Sequence, residues 1–222
     1  GAARRTLALR IKLKATRLAR QTQEALDTAR LLGKHRAFSA DAAQSIVRGL
    51  AIELINSAHD TSQLQQTWLQ LEQLERNMPE LAIQAAQRLV NLGGEPAQAR
   101  TWLLPVWERM VQLPNALPDH HALKLVRALE PGLDTLDAAW LARIESAQLA
   151  NPRDARLQYL AGVACLKRQL WGKAQQLLTQ AIPHLTDAGL RASAWRHLAA
   201  LAERRNDGEA AAEAWKKAAL AH

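Results

Sequence analysis

The stretch AGVACLKRQLWGKA holds the chain's best candidate for phosphate chemistry, with Gly162 upstream of Gly172-Lys173. A nucleotide-binding loop needs G-x4-G-K followed by Ser or Thr, so that backbone amides wrap the phosphates and the lysine reaches them. Here the glycines stand ten apart and Ala174 follows the lysine, so the phosphate reading fails. Histidines occur at 35, 59, 120, 121, 184, 197 and 222, without H-E-x-x-H and without a carboxylate at ligand spacing. His120-His121 is the only cluster, and adjacent helical positions point about 100° apart, which suits a loop or cap better than a shared metal. Cys165 is the single cysteine, so no internal disulfide can form, and a lone thiol in an apolar stretch reads as core. No G-x-S-x-G, no paired carboxylates and no nucleophile beside a base stand out. The sequence therefore predicts no enzyme, no catalytic residue, no metal and no cofactor.

The scaffold that would carry these residues is helical. Ala, Leu and Gln dominate, and Tyr and Phe occur once each against seven Trp. No run approaches the roughly 18 apolar residues that a spanning helix needs, and the N-terminus lacks a signal peptide's apolar core, so the chain as given reads as soluble. The net charge of +8 is local: ten Lys or Arg face two acids through Ala40, and nineteen face nineteen beyond it. Such a segment could meet nucleic acid, anionic lipid or an acidic protein face. Without aromatic interleaving or a nucleic-acid fold signature, a solvated basic helix face is the favoured reading and nucleic acid is not an expected partner. Weaker still is a lipid-facing role for the first forty residues, which salt-dependent liposome sedimentation would reveal.

Repeats carry more information. From Gly162, Ala174 lies twelve residues on, Leu178 four further and Ala181 three beyond; from Ala199 the same steps reach Ala211, Trp215 and Ala218. This is the spacing of the tetratricopeptide repeat, whose paired helices need small residues where their backbones approach. The pattern departs at Cys165 and Ala202, where it wants a large aromatic, and the two markers are 37 residues apart rather than the usual ~34. Within LWGKA, Gly172 is expected to relax the turn, and Asn206-Asp207-Gly208 to stop the helix before the last one. Leu178 and Trp215 are expected to fill the gap to the next hairpin.

Upstream units keep the punctuation. Pro79 opens a helix whose Leu81, Ala85, Leu89 and Leu92 trace one face, Gly93-Gly94 breaks it, and Pro96 starts a helix bearing Ala99, Leu103 and Val106. TSQLQQTWLQLEQLER reads as a helix capped by Thr61 or Ser62 with Leu64, Trp68, Leu71 and Leu74 on one side. Residues 39 to 58 supply its partner, capped by Ser39 and carrying Ile46, Leu50 and Leu54. Leu7, Leu9, Ile11 and Leu13 alternate like a strand, but strong helix formers and the absence of a pairing strand favour helix. A second helix with Leu26, Ala29 and Leu32 then leads to a turn at Gly33. Two prolines frame an irregular link between Leu113 and Asp119, and Pro131-Gly132 cuts the next helix. Trp102, Trp107, Trp140 and Trp215 fall at core spacing.

The fold expected is all-α: a right-handed superhelix of about six antiparallel helical hairpins, one domain over residues 1–222. Degenerate hairpins fill 1–110, an irregular one 111–150, and the best-matching repeats 151–222. The first helix of each pair would line a concave groove, in which the last two repeats present Arg156, Tyr159, Val163, Lys167, Arg196 and Arg204. That partner-binding groove, basic over an aliphatic floor, would suit an acidic peptide, a terminal carboxylate or porphyrin propionates.

MPELAIQAAQRLVNLGGEPAQARTWLLPVWE, NPRDARLQYLAGVACLKRQLWGKAQQLLTQAI and the closing repeat together resemble the C-terminal tetratricopeptide region of bacterial HemY proteins, with LWGKA the most specific piece. The resemblance implies a bacterial inner-membrane protein associated with haem biosynthesis, held by an N-terminal anchor missing from this chain. This part would be soluble and on the cytoplasmic side. An unrelated flavin-dependent protoporphyrinogen oxidase shares that name, but its dinucleotide fingerprint is missing here. The function so implied is a protein-protein interaction scaffold whose partner is a haem-biosynthetic enzyme. The alternative is a haem or porphyrin carrier; no Cys-Pro or apolar His motif supports it, single His or Tyr ligation stays open, and a haemin titration would test it.

Overall fold

In the computed structural model, residues 1–35, 39–113 and 115–221 are described, except for the side chains of 9 and 12–17. Among them every regular element is helical and no strand occurs. The chain divides into two compact units, Gly1–Arg109 and Met110–His222.

The first unit opens with one continuous helix, α1 (Ala2–Lys34), where the sequence suggests two. The strand-like alternation at its start does not matter, because no strand occurs among the described residues to pair with it; Leu9 and Leu13 of that pattern lie outside the described side chains. Helix α2 (Ala40–Ser57) begins as expected at Ser39, whose hydroxyl accepts from Ala42 N–H at 3.2 Å. Its buried face is Val47, Ala51, Leu54 and Ile55, rotated away from the expected Ile46, which is 41% exposed.

Helix α3 (Thr61–Gln70) is capped by Asp60 rather than Thr61 or Ser62, with Gln63 N–H donating to its carboxylate at 2.8 Å. An acid there also complements the positive end of the helix. The helix stops at Leu71, and the short α4 (Gln73–Arg76) starts on a new axis, so Leu64, Trp68 and Leu71 are buried while Leu74 turns out to solvent. Glu72 and Glu75 form a reciprocal capping box at that break. Arg30 of α1 reaches across and grips the buried Glu75 through Nε and Nη2 at 2.9 and 2.5 Å, fastening α1 to the turn.

Helices α5 (Pro79–Asn91) and α6 (Pro96–Gln112) follow as the prolines predict. Gly93 takes φ +86°, Gly94 N–H returns to Leu89 C=O and Gly93 N–H to Val90 C=O, the paired bonds of a Schellman stop. Leu81, Ala85, Leu89, Ala99, Leu103 and Val106 are all buried. Trp102 of α6 stacks on Trp68 of α3 with centroids 4.7 Å apart, beside a Gln65–Gln98 hydrogen bond of 2.8 Å.

The second unit contains α7 (Asp119–Leu129), a 3-10 turn over Glu130–Thr135 containing Pro131-Gly132, α8 (Ala138–Ala150), α9 (Ala155–Lys167), α10 (Trp171–Ala181), α11 (Ala188–Arg204) and α12 (Gly208–Leu220). Pro114 of the expected proline-framed link lies outside the described residues. Helices α9 and α10 form one hairpin, α11 and α12 another. Their two turns are the same device 37 residues apart: Leu170 N–H returns to Cys165 C=O and Asp207 N–H to Ala202 C=O, while Gln169 and Asn206 take φ +63° and +60°. This corrects the expected role of Gly172, which lies inside α10, whereas the expected stop at Asn206-Asp207-Gly208 holds; in both turns the left-handed residue follows the helix by two positions.

Gly162 is small for the reason expected. A Cβ there would come 2.9 Å from Leu178 Cγ and 3.3 Å from Leu177 Cβ, so α9 and α10 could not approach as they do. Leu178 thus packs inside its own hairpin, not only toward the next. Trp102, Trp107 and Trp140 are buried, whereas Trp215 is 42% exposed and donates from Nε1 to Glu203 at 2.8 Å. Asp137, Asp154, Asp187 and Asp207 cap four helices of this unit with side-chain acceptors.

Candidate functional site

All six residues expected at a partner-binding groove lie in α9 and α11 of the second unit, but they divide into distinct environments. Along α9, Arg156, Tyr159, Val163 and Lys167 fall at helical steps of three and four, so one stripe carries them. The ends of the stripe reach solvent, with Arg156 half-buried and Lys167 exposed. Its middle does not: Tyr159 and Val163 are fully buried. Neither side chain is open to a partner, and Tyr159 meets Glu130 of the 3-10 turn and Ser193 of α11.

Tyr159 is instead the centre of a polar network. Its hydroxyl donates to Glu130 at 2.5 Å and lies 2.8 Å from Ser193 Oγ. With its single proton committed to the carboxylate, the phenol oxygen accepts from Ser193. His197 Nε2 lies 3.4 Å from the same Glu130 oxygen, and its ring is 6.4 Å from that of Tyr159. Burial pushes the Glu130 carboxyl up, but hydrogen bonds from His197 and Tyr159 and the attraction of His197 outweigh it and leave it below the ordinary carboxylate value. Burial, and then the bond to Glu130, push the Tyr159 phenol well above its ordinary value. A phenol kept neutral in this way is a strut joining α9, α11 and the 3-10 turn; it is no base or nucleophile. Sequence reasoning missed the network because its members come from three elements, although Ser193 and His197 stand one helical turn apart on α11.

Of the exposed cations, one lies close to this strut. Arg196 is exposed, and its charge acts on the Tyr159 hydroxyl. Arg204, at the end of α11, stacks on Trp171 at the start of α10, 4.0 Å from the ring centroid. Lys167 lies eleven residues along α9 from Arg156, about 16 Å at the helical rise.

Arg156 points toward a cavity of about 480 Å³ where α7, α9 and the approach to α11 begin. Asp119, His120, Arg156, His184, Asp187 and Leu190 are among its lining residues. The Arg156 guanidinium sits 3.4 Å from Asp119 and 3.6 Å from Asp154, while Asp187 holds Arg127 at 2.6 Å. The signal for this cavity was present as acids at 119, 154 and 187, one at each helix start, but their shared location needed the fold. His120 and His121 pack ring to ring with centroids 4.0 Å apart, in the first turn of α7, not in a loop. Among the described residues no cluster of three His, Cys, Asp or Glu could hold a metal, and no helix is long and apolar enough to cross a membrane. Cys165 is buried, and that burial raises its thiol above the usual value, which suits a core residue.

No protein-family model matches the chain, and no curated protein does. Among solved structures it is similar to MamA, residues 41 to the end, from Desulfovibrio magneticus RS-1, at 22% identity and a TM-score of 0.48, over 78% of this chain and 90% of that one. It is also similar to the MamA RS-1 ArsTM double mutant, at 21% identity and a TM-score of 0.45, over 88% and 93%. These likenesses are of helical fold and carry nothing about activity or partner.

Proposed function

We propose that the chain is a non-enzymatic protein-interaction scaffold that holds an acidic partner segment along α9 and α11 of its second unit. The observation supporting this is the set of Lys167, Arg196 and Arg204, exposed cations with no ion pair among the described residues, in line with the half-exposed Arg156. The partly buried strut of Tyr159, Glu130, Ser193 and His197 ties α9 and α11 to the 3-10 turn and so holds the spacing of the two helices that carry these cations. Fixed spacing is what lets separated charges recognise one extended partner rather than any polyanion. Tyr159 and Val163 serve this surface from below, by positioning.

The narrower reading, that the partner is a haem-biosynthetic enzyme, rests on the likeness of the LWGKA region to HemY proteins. Changing Arg156, Lys167, Arg196 and Arg204 together to Glu tests the scaffold reading in a pull-down from the chain's own cell. Recovery of the partner should fall at least about tenfold, as expected when several attractive pairs become repulsive. Unchanged recovery would refute the surface.

A further inference from the structure

Helix α1 is longer than anything that supports it. Its 33 residues extend about 50 Å, while the 18 residues of α2 extend about 27 Å, so α2 can cover little more than half of it. Burial follows that arithmetic: Leu26 and Ala29 are buried, and every described side chain from Gly1 to Leu18 is exposed. A helical stretch of about 18 residues whose described side chains are all exposed gains little stability from its own backbone in water.

Two further features select what would cover it. Residues 1–23 contain Arg4, Arg5, Arg10, Lys12, Lys14, Arg17 and Arg20 and no acid, the first being Glu24. Leu7, Ile11 and Leu18 are each about three-fifths exposed, at 61%, 61% and 62%, and fall within about 40° of one another around the helix axis. Seven cations without an acid exclude a second copy of the same helix, which would stack like charge on like. Nucleic acid would satisfy the cations but leave the Leu7, Ile11 and Leu18 stripe in water. An anionic lipid surface satisfies both, because headgroups take the cations and the acyl boundary takes the apolar side chains.

We propose that the N-terminal half of α1 docks on an anionic lipid surface, with Leu7, Ile11 and Leu18 inserted and Arg4, Arg5 and Arg10 on the headgroups. This rests on charge and exposure in the first unit and is independent of the partner surface in the second. The test is flotation of the full chain with vesicles of phosphatidylcholine alone or with about 30% phosphatidylserine, at about 0.1 and 0.5 M NaCl. The bound fraction should be at least about tenfold higher on the anionic vesicles and fall with salt. R4E/R5E/R10E should abolish the binding, and L7S/I11S/L18S should lower it several-fold; all six side chains are exposed, so the thermal melt of either variant should match the parent. Equal binding to neutral vesicles, binding untouched by either triple variant, or retention on duplex DNA without flotation on lipid would each overturn the proposal.

Discussion

Replacing Tyr159 with Phe removes one hydroxyl from the centre of the second unit and changes almost nothing else in shape. The hydroxyl donates to an ionised carboxylate, an interaction typically worth about 1.5–3 kcal/mol. Glu130 keeps His197 at 3.4 Å and its side chain is 26% exposed, so solvent replaces part of the loss and the lower end applies, about 1–2 kcal/mol. For a unit of this size that is a fall of several degrees, about 4–8 °C, in the melting temperature followed by circular dichroism. The loss should depend on pH. Glu130 has a folded value below its unfolded one, so its stabilisation is complete above the ordinary carboxylate range near about 4.3 and disappears as pH falls through the folded value. The Y159F penalty at pH 7 should therefore shrink near pH 3, and E130Q should flatten the acid limb of the parent's stability curve. In the double variant Y159F/E130Q the two losses should fall short of their sum by at least about 0.5 kcal/mol. A penalty equal at both pH values, or additive losses, would refute the strut.

Other positions give separate checks. G162A should destabilise by about 1–2 kcal/mol despite alanine's better helix propensity, and G162A/L178A should lose less than the sum of the single variants in urea unfolding. Q169G should stabilise by up to about 1 kcal/mol, since glutamine pays for a left-handed backbone that glycine adopts freely, and N206G should gain less because asparagine tolerates it. R30A should cost about 3 kcal/mol, leaving the 4%-exposed Glu75 carboxylate unpaired, whereas R30A/E75Q should recover part of that in the same assay.

Spacing made the helical hairpins legible, because small residues at Gly162, Ala174, Ala181, Ala199, Ala211 and Ala218 mark backbone approach and all are buried. Prolines at 79 and 96 marked helix starts for an equally local reason, the missing N–H at a position that needs none. What escaped was decided by tertiary neighbours. Asp60 outcompeted Thr61 and Ser62 as a cap, and Leu74 left the core because the chain turned at Leu71, where Arg30 from a distant helix meets Glu75. Gly172 misled for a related reason: Gln169 accepts the left-handed backbone because the Schellman bonds around it hold it. At the candidate site, α9 periodicity placed Arg156, Tyr159, Val163 and Lys167 on one stripe, yet periodicity cannot say that its middle is buried, with Tyr159 bonded to Glu130 and Ser193. The Glu130 bond and the cavity beside Arg156 became readable only once three elements were in place.

The scaffold reading places the partner over α9 and α11, so a photo-crosslinking residue at Lys167 in the living cell interrogates it most directly. A discrete protein adduct is expected from position 167 that disappears when Arg196 and Arg204 become Glu, and no such adduct from the exposed Gln176 on α10. The same adduct from both positions, or one from 167 that survives the charge reversal, would contradict the account.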